Sequence, residues 1–200
     1  MDLFLAICQA IGLALAVGIG GVLAALFVAV MASANAGIDP RGTDWEFIGD
    51  GWFIAILFAA NVLAFYESRR PPQAGSGPGR LDRRIRAAAA AGALGALFGA
   101  ASLAEQGEPA ALGFALGALF GAGSALLAGE ILAGAQRRAG DAHGAGSTLE
   151  LIFGAAGIAT AALALFIPPA SLLALLGLVV VGVGRRRRAG EKYEGLRVLR

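Results

Sequence analysis

Three polar side chains stand inside long apolar stretches of this sequence, and each could do chemistry that depends on being there. Glu130 lies in GSALLAGEILAGAQRR, a few residues before Arg137, so roughly 10 Å separates them along a helix. Facing a cavity, its carboxylate would bind a proton or a cation; facing outward, it would snorkel or pair structurally. Asn61 falls near the middle of its stretch with no local partner. It serves either as an interhelical hydrogen bond or as a substrate contact. Ser124 is placed beside them in the interior, although a serine can also bond back to its own helix, as can Thr160 and Ser171. Gln9 is a further weak signal. Asp44, Glu46 and Asp50 cluster with Trp45 and Trp52, either as a cation-attracting vestibule or as solvated loop charges.

Other chemistries find too few residues. Cys8 is the only cysteine and His143 the only histidine, so neither a disulfide nor a zinc site can be assembled from them. Cys8 reads as a small hydrophobe and His143 as a solvated residue of the loop AGDAHGAGS. There is no phosphate-binding glycine loop and no Ser/His/Asp set. The reading is therefore not an enzyme, with no catalytic residues, no metal and no cofactor. Arg185, Arg186, Arg187 and Arg188, with Lys192, Arg197 and Arg200, form a basic tail. Each is worth about 1 kcal/mol beside an anionic leaflet, which makes lipid contact the expected role. Without a folded module or interleaved aromatics, no nucleic-acid partner is expected.

The elements that must hold these residues are membrane helices. Hydrophobic residues make up 58% of the 200-residue chain and charged ones 15%, which excludes a disordered chain, a disulfide scaffold and an ordinary soluble enzyme. The apolar runs are continuous rather than alternating, and rich in alanine and leucine, so helices are favoured over a barrel. Six spans are expected, over residues 3–34, 47–66, 87–104, 110–136, 151–167 and 168–184. An arginine-rich linker at 67–86 and the basic tail at 185–200 complete a single membrane domain. The first span is longer than a perpendicular crossing needs, so it must tilt, protrude or break near the glycines of VGIGG. The last two spans, joined at Pro168-Pro169, form either a helical hairpin or a shallow re-entrant pair.

Charge sets the orientation. With six spans and a cytoplasmic N-terminus, fifteen of the 16 lysines and arginines lie inside and only Arg41 outside. Both termini are thus expected in the cytoplasm of a bacterial inner membrane, with no cleaved signal peptide because Asp2 precedes the first run and no basic segment leads it.

A weak internal repeat adds architecture. GLALAVGIGGVLAAL from Gly12 resembles GFALGALFGAGSALL from Gly113, and each is followed by a shorter span and a Pro-Pro pair. Two three-span halves would insert with opposite orientations, as inverted repeats do. Gly113, Gly117 and Gly121 on one face, and Gly95 with Gly99, supply close helix packing, a dimer seam or a backbone-lined path.

The glycine-rich first span, the loop DWEFIGDGW, the second span ending in AFYESRRPP, the arginine-rich linker and the fourth span ending in GEILAGAQRR resemble the bacterial membrane family called domain of unknown function 4126. Where that family carries an acidic-Asp-Lys-Pro motif and a His/Lys pair, this chain has Glu67, Ser68 and Arg69, and Gly129 and Glu130. The resemblance implies topology and little mechanism. The expected protein is all-α and integral to the membrane: a small transporter or channel-like protein of two inverted three-helix repeats, with Glu130, Asn61 and Ser124 along its pathway. The alternative is a non-transporting scaffold or accessory subunit that packs through its glycine faces. Expected partners are the bilayer, anionic lipid included, and a second copy or another membrane protein.

Overall fold

The computed structural model describes residues 3–68, 79–139 and 145–194. These form α1 (Leu3–Ser33), a 3-10 turn at Glu46–Gly49, α2 (Gly51–Ser68), α3 (Gly79–Glu105), α4 (Ala110–Ala139), α5 (Ala145–Phe166) and α6 (Pro168–Glu194). Among the described residues there is no strand. Four helical stretches are long and apolar enough to cross a membrane: Leu3–Ser33, Arg84–Glu105, Ala110–Gln136 and Thr148–Phe166. Gly51–Tyr66 and Pro168–Gly182 are shorter apolar helices.

The packing is inverted in the sense that lipid demands. The buried hydrophobic set is dominated by alanine, whereas Phe58, Leu119, Leu151 and Leu173 point outward, the last 70% exposed. A soluble protein would not present so large an apolar surface. Lipid-facing helices do, because small residues inside let backbones approach while large ones meet acyl chains. This chain is a helical membrane protein.

Its first helix does not run straight. Gly21 has φ 63° and ψ −145°, which interrupts α1 between residues 3–20 and 22–33. Beyond the break the chain turns back. Gln9 Nε2 donates to the Gly37 carbonyl at 2.6 Å. In a straight helix Gln9 and Ser33 would be ~36 Å apart. The four residues from there to Gly37 could recover only ~14 Å of that. The two limbs of α1 are therefore antiparallel, roughly 27 and 18 Å long. Contacts along α5 agree: a Cβ on Gly20 would meet Gly157 Cα at 2.8 Å, one on Gly12 would meet Ala164 Cβ at 2.7 Å, and one on Gly37 would meet Leu165 Cβ at 2.7 Å. Gly12 and Gly37 thus share one end of α5, and the fold-back lies toward the other.

That reversal resets the direction of every later element. The end of the bundle holding residues 34–50 is here called the upper end. Gly49 packs beside Ser33 at this end, and α2 descends from it until Asn61 reaches the Val22 carbonyl at the fold-back. From there α3 rises, α4 descends, α5 rises and α6 descends, its Ser171 donating near the top to the Cys8 carbonyl at 3.1 Å. Since Asn61 is level with the break, the remaining turns of α2 extend ~10 Å below it. The turn at Gly21 therefore lies above the lower end of α2. Within the described chain α1 turns back at Gly21, while α5 and α6 are two helices joined at Ile167-Pro168.

Two expectations are corrected by this geometry. The start of α1 is at the upper end and α6 runs to the lower one, so the two ends of the described chain lie at opposite ends of the bundle, where six straight helices would bring them to the same end. The inverted repeat fails for the same reason. Ala14 lies against Gly95, which faces Gly117, while Gly18 lies against Gly121 and Ser124, so the first limb of α1 and α4 run parallel. An inverted pair would run opposite, and α4 continues as one helix through Ala122, the position that matches the break at Gly21.

Candidate functional site

The polar residues singled out from sequence are placed apart. Asn61 sits where α2 meets the fold-back, its amide donating to the Val22 and Leu57 carbonyls at 3.0 Å each. A broken helix exposes backbone groups that hydrocarbon cannot satisfy, so an amide at this point closes part of that deficit. Ser124 is buried on α4 and donates to Phe120 and Gly121 of its own helix, at 2.7 and 3.1 Å. A Cβ on Gly18 would overlap its hydroxyl, so the serine plugs the interface between α4 and the first limb of α1. Glu130 is exposed on the lower part of α4 and does not join the other two. Nothing converges.

The weaker polar positions are equally local. Thr160 donates to the Ala156 carbonyl at 2.8 Å, and Ser171 to Pro168 at 2.7 Å as well as to Cys8. Cys8 is buried and free. Of the acidic residues near the tryptophans, Asp50 accepts from Trp52 Nε1 at 3.1 Å and Glu46 accepts from the Gly42 N–H at 3.5 Å. Phe47 stacks on Trp52 at 6.0 Å and meets Phe53 edge-on at 5.6 Å, while Phe53 reaches Phe98 of α3. This aromatic group pins the upper loop to the helices. His143 and the side chains of Arg185, Arg186, Arg187 and Arg188 lie outside the described residues.

The glycines are placed together. Gly99 faces Gly113, Gly95 faces Gly117, and Gly121 faces Ala91 and Gly92, so α3 and α4 are antiparallel with their backbones in contact over several turns. A shallow groove of about 470 Å³ runs along the outside of this pair, lined by residues such as Ile85, Ala89, Ala93, Phe114, Ala118 and Leu126. Its lining is almost entirely hydrocarbon. Among the described residues, no group of three or more His, Cys, Asp or Glu side chains could hold a metal ion.

Sequence reading missed one pair. Ser102 and Glu105 stand in the last turn of α3, and each has a buried oxygen with no hydrogen-bond partner within the chain. Ending the third span at residue 104 leaves Glu105 in solvent. The signal available was the run SLAEQGEP, where a serine and a glutamate three apart share a helix face at its C-terminus.

No protein-family model, no curated protein and no solved structure matches this chain, so the likeness to the domain of unknown function 4126 rests on its sequence motifs alone.

Proposed function

We propose that this protein is a non-transporting scaffold or accessory subunit of a bacterial inner membrane, in preference to a transporter. One observation carries the reading: Asn61, Ser124 and Thr160 are spent on nearby backbone, and they line no shared cavity. A transport pathway needs polar groups converging on a hydrated cleft near the midplane. Here Ser124 is wedged against Gly18, and Asn61 is committed to the fold-back. The groove on α3 and α4 offers a solute no polar side chain.

The positive-inside rule places the lower, arginine-bearing end in the cytoplasm, with Arg41 alone among the 16 lysines and arginines outside. Together with the fold-back, this gives an external N-terminus and a cytoplasmic C-terminus. The scaffold then presents an aromatic and acidic loop outward and a basic surface to the inner leaflet and to cytoplasmic partners.

A second reading is favoured by the break itself, because discontinuous helices near the midplane are where many transporters bind their cargo. The test is solvent access. On a Cys8→Ala background, Asn61→Cys and Ser124→Cys are expected to stay unlabelled by a membrane-impermeant maleimide in intact cells, while Asp44→Cys labels. Labelling at 61 and 124 would reveal a water path and give the weight to transport through the fold-back.

A further inference from the structure

The groove of about 470 Å³ along the outside of α3 and α4 combines a shape, a depth and a charge at one end. Its floor on α3 is small and buried, made of Ala88, Gly92 and Ala96. Large side chains stand at its ends. Because Gly121 faces Ala91 and Gly113 faces Gly99, Ile85 and Leu126 share the lower end and Phe114 closes the upper one. From Ile85 to Ala96 the groove is ~16 Å long. That is half of a hydrocarbon core of about 30 Å. The apolar stretch of α3 begins at the same level, with Arg84, and continues to Glu105. The groove therefore runs from the lower headgroup level to the middle of the layer, the depth of one leaflet.

The charge lies at the headgroup end. Arg84 and Arg86 flank Ile85, and both are exposed. Arg86 shares a helix face with Ala89 and Ala93 of the groove, three and seven residues further along. An arginine stem lies readily on apolar surface while its guanidinium stays at the polar boundary. On α4 the exposed Glu130 comes one turn below Leu126, so these three groups together remain positive.

We propose that the groove seats one acyl chain of an anionic phospholipid from the lower leaflet, with Arg84 and Arg86 binding its phosphate. The guanidinium fork matches a phosphate, and basic sites between spanning helices suit anionic headgroups. A second copy of the chain is the competing occupant, and charge opposes it. Two copies inserted the same way and meeting groove to groove would bring both arginine pairs to one depth about the two-fold axis, like charge against like. The seat is independent of the scaffold reading, because a lipid on the outer face of α3 and α4 serves a scaffold and a transporter alike.

The experiment is native mass spectrometry of the full chain in a neutral detergent, with phosphatidylglycerol and phosphatidylcholine of identical acyl chains added in equal amounts. The wild type is expected to carry one phosphatidylglycerol in preference to phosphatidylcholine. Arg84→Gln with Arg86→Gln should reduce that preference by about fivefold per arginine. Arg137→Gln with Arg138→Gln, roughly three turns beyond Leu126 on α4, removes the same charge and should keep it. Ala89→Phe fills the groove from an exposed position and should lose the bound lipid, and Ala93→Phe repeats the test if that variant does not fold. Equal retention of the two lipids by the wild type would overturn the proposal, as would a preference that survives the change at 84 and 86. Lipid that stays bound to both phenylalanine variants would mean headgroup attraction without a seat for the chain. A lipid-free dimer that Ala89→Phe splits would give the groove to a second copy.

Discussion

Replacing Gly21 by alanine is expected to destabilise the protein by about 1–3 kcal/mol, the usual cost of holding a side-chain-bearing residue in a backbone region that belongs to glycine. The cause can be isolated because a Cβ at Gly21 would meet nothing within 4 Å. Crowding is absent, so the loss comes from φ 63° and ψ −145° alone. Gly123 supplies the control. It also has open space around a Cβ, but lies within the continuous helix α4. There Gly123→Ala should be neutral or stabilise by up to ~1 kcal/mol, since alanine is the better helix former by that amount. Unfolding of both variants in mixed detergent micelles would separate them. Equal effects at 21 and 123 would mean that α1 is not broken at Gly21.

A larger loss is expected at the seam of α3 and α4. Gly117→Val would place its side chain against the Gly95 carbonyl and Ala96 Cα. Backbone on a rigid helix cannot step aside as a flexible side chain can. Overpacking of this kind reaches the upper end of the roughly 1–3 kcal/mol range and can exceed it. Gly113→Val on the same face should behave alike, because Gly99 stands opposite in the same manner. The seam joins the most extensively packed pair of helices, so failure to accumulate in the membrane is the expected phenotype. Normal yield and stability for Gly117→Val would show that α3 and α4 are farther apart than their glycines imply.

The extent of the helices was legible because the chain punctuates them plainly. Arginine clusters, the Gln106-Gly107-Glu108-Pro109 turn and the Pro168-Pro169 pair interrupt apolar runs, and helix limits fall near these marks. Some helices run farther than apolarity suggests: α3 begins at Gly79 inside the arginine-rich linker, and α6 continues to Glu194 through the basic tail. Hydropathy registers what lipid covers, whereas a helix can persist beyond the bilayer.

The fold-back was only half legible. A run of 31 residues exceeds what one crossing needs, so a break near VGIGG stood among the alternatives. Nothing in composition distinguishes a glycine in ordinary helix from one at positive φ, and reversal at Gly21 depends on Gln9, Gly37 and α5 closing around it. The end of the bundle at which α1 begins depends on that one turn, because each reversal exchanges the ends of everything that follows.

The candidate site was the least legible part. Helices apolar on every side give no clue to which face is inside, so the directions of Asn61, Ser124 and Glu130 could not be compared. The structure separates them: one supports the fold-back, one plugs a helix contact, and one is exposed. The pair at Ser102 and Glu105 stayed hidden because a glutamate at a helix end is ordinarily hydrated. Tertiary packing at the end of α3 buries one of the Glu105 carboxylate oxygens, and hydropathy does not register that.

The direct test of the fold-back is the sidedness of the start of α1. Single cysteines on a Cys8→Ala background, Leu3→Cys, Asp44→Cys and Arg84→Cys, would be probed with an impermeant maleimide in intact cells and again in inverted vesicles. The fold-back predicts that positions 3 and 44 label from the same side and position 84 only from the other. If position 3 labels with position 84 instead, α1 crosses the membrane as one straight helix and the account is wrong.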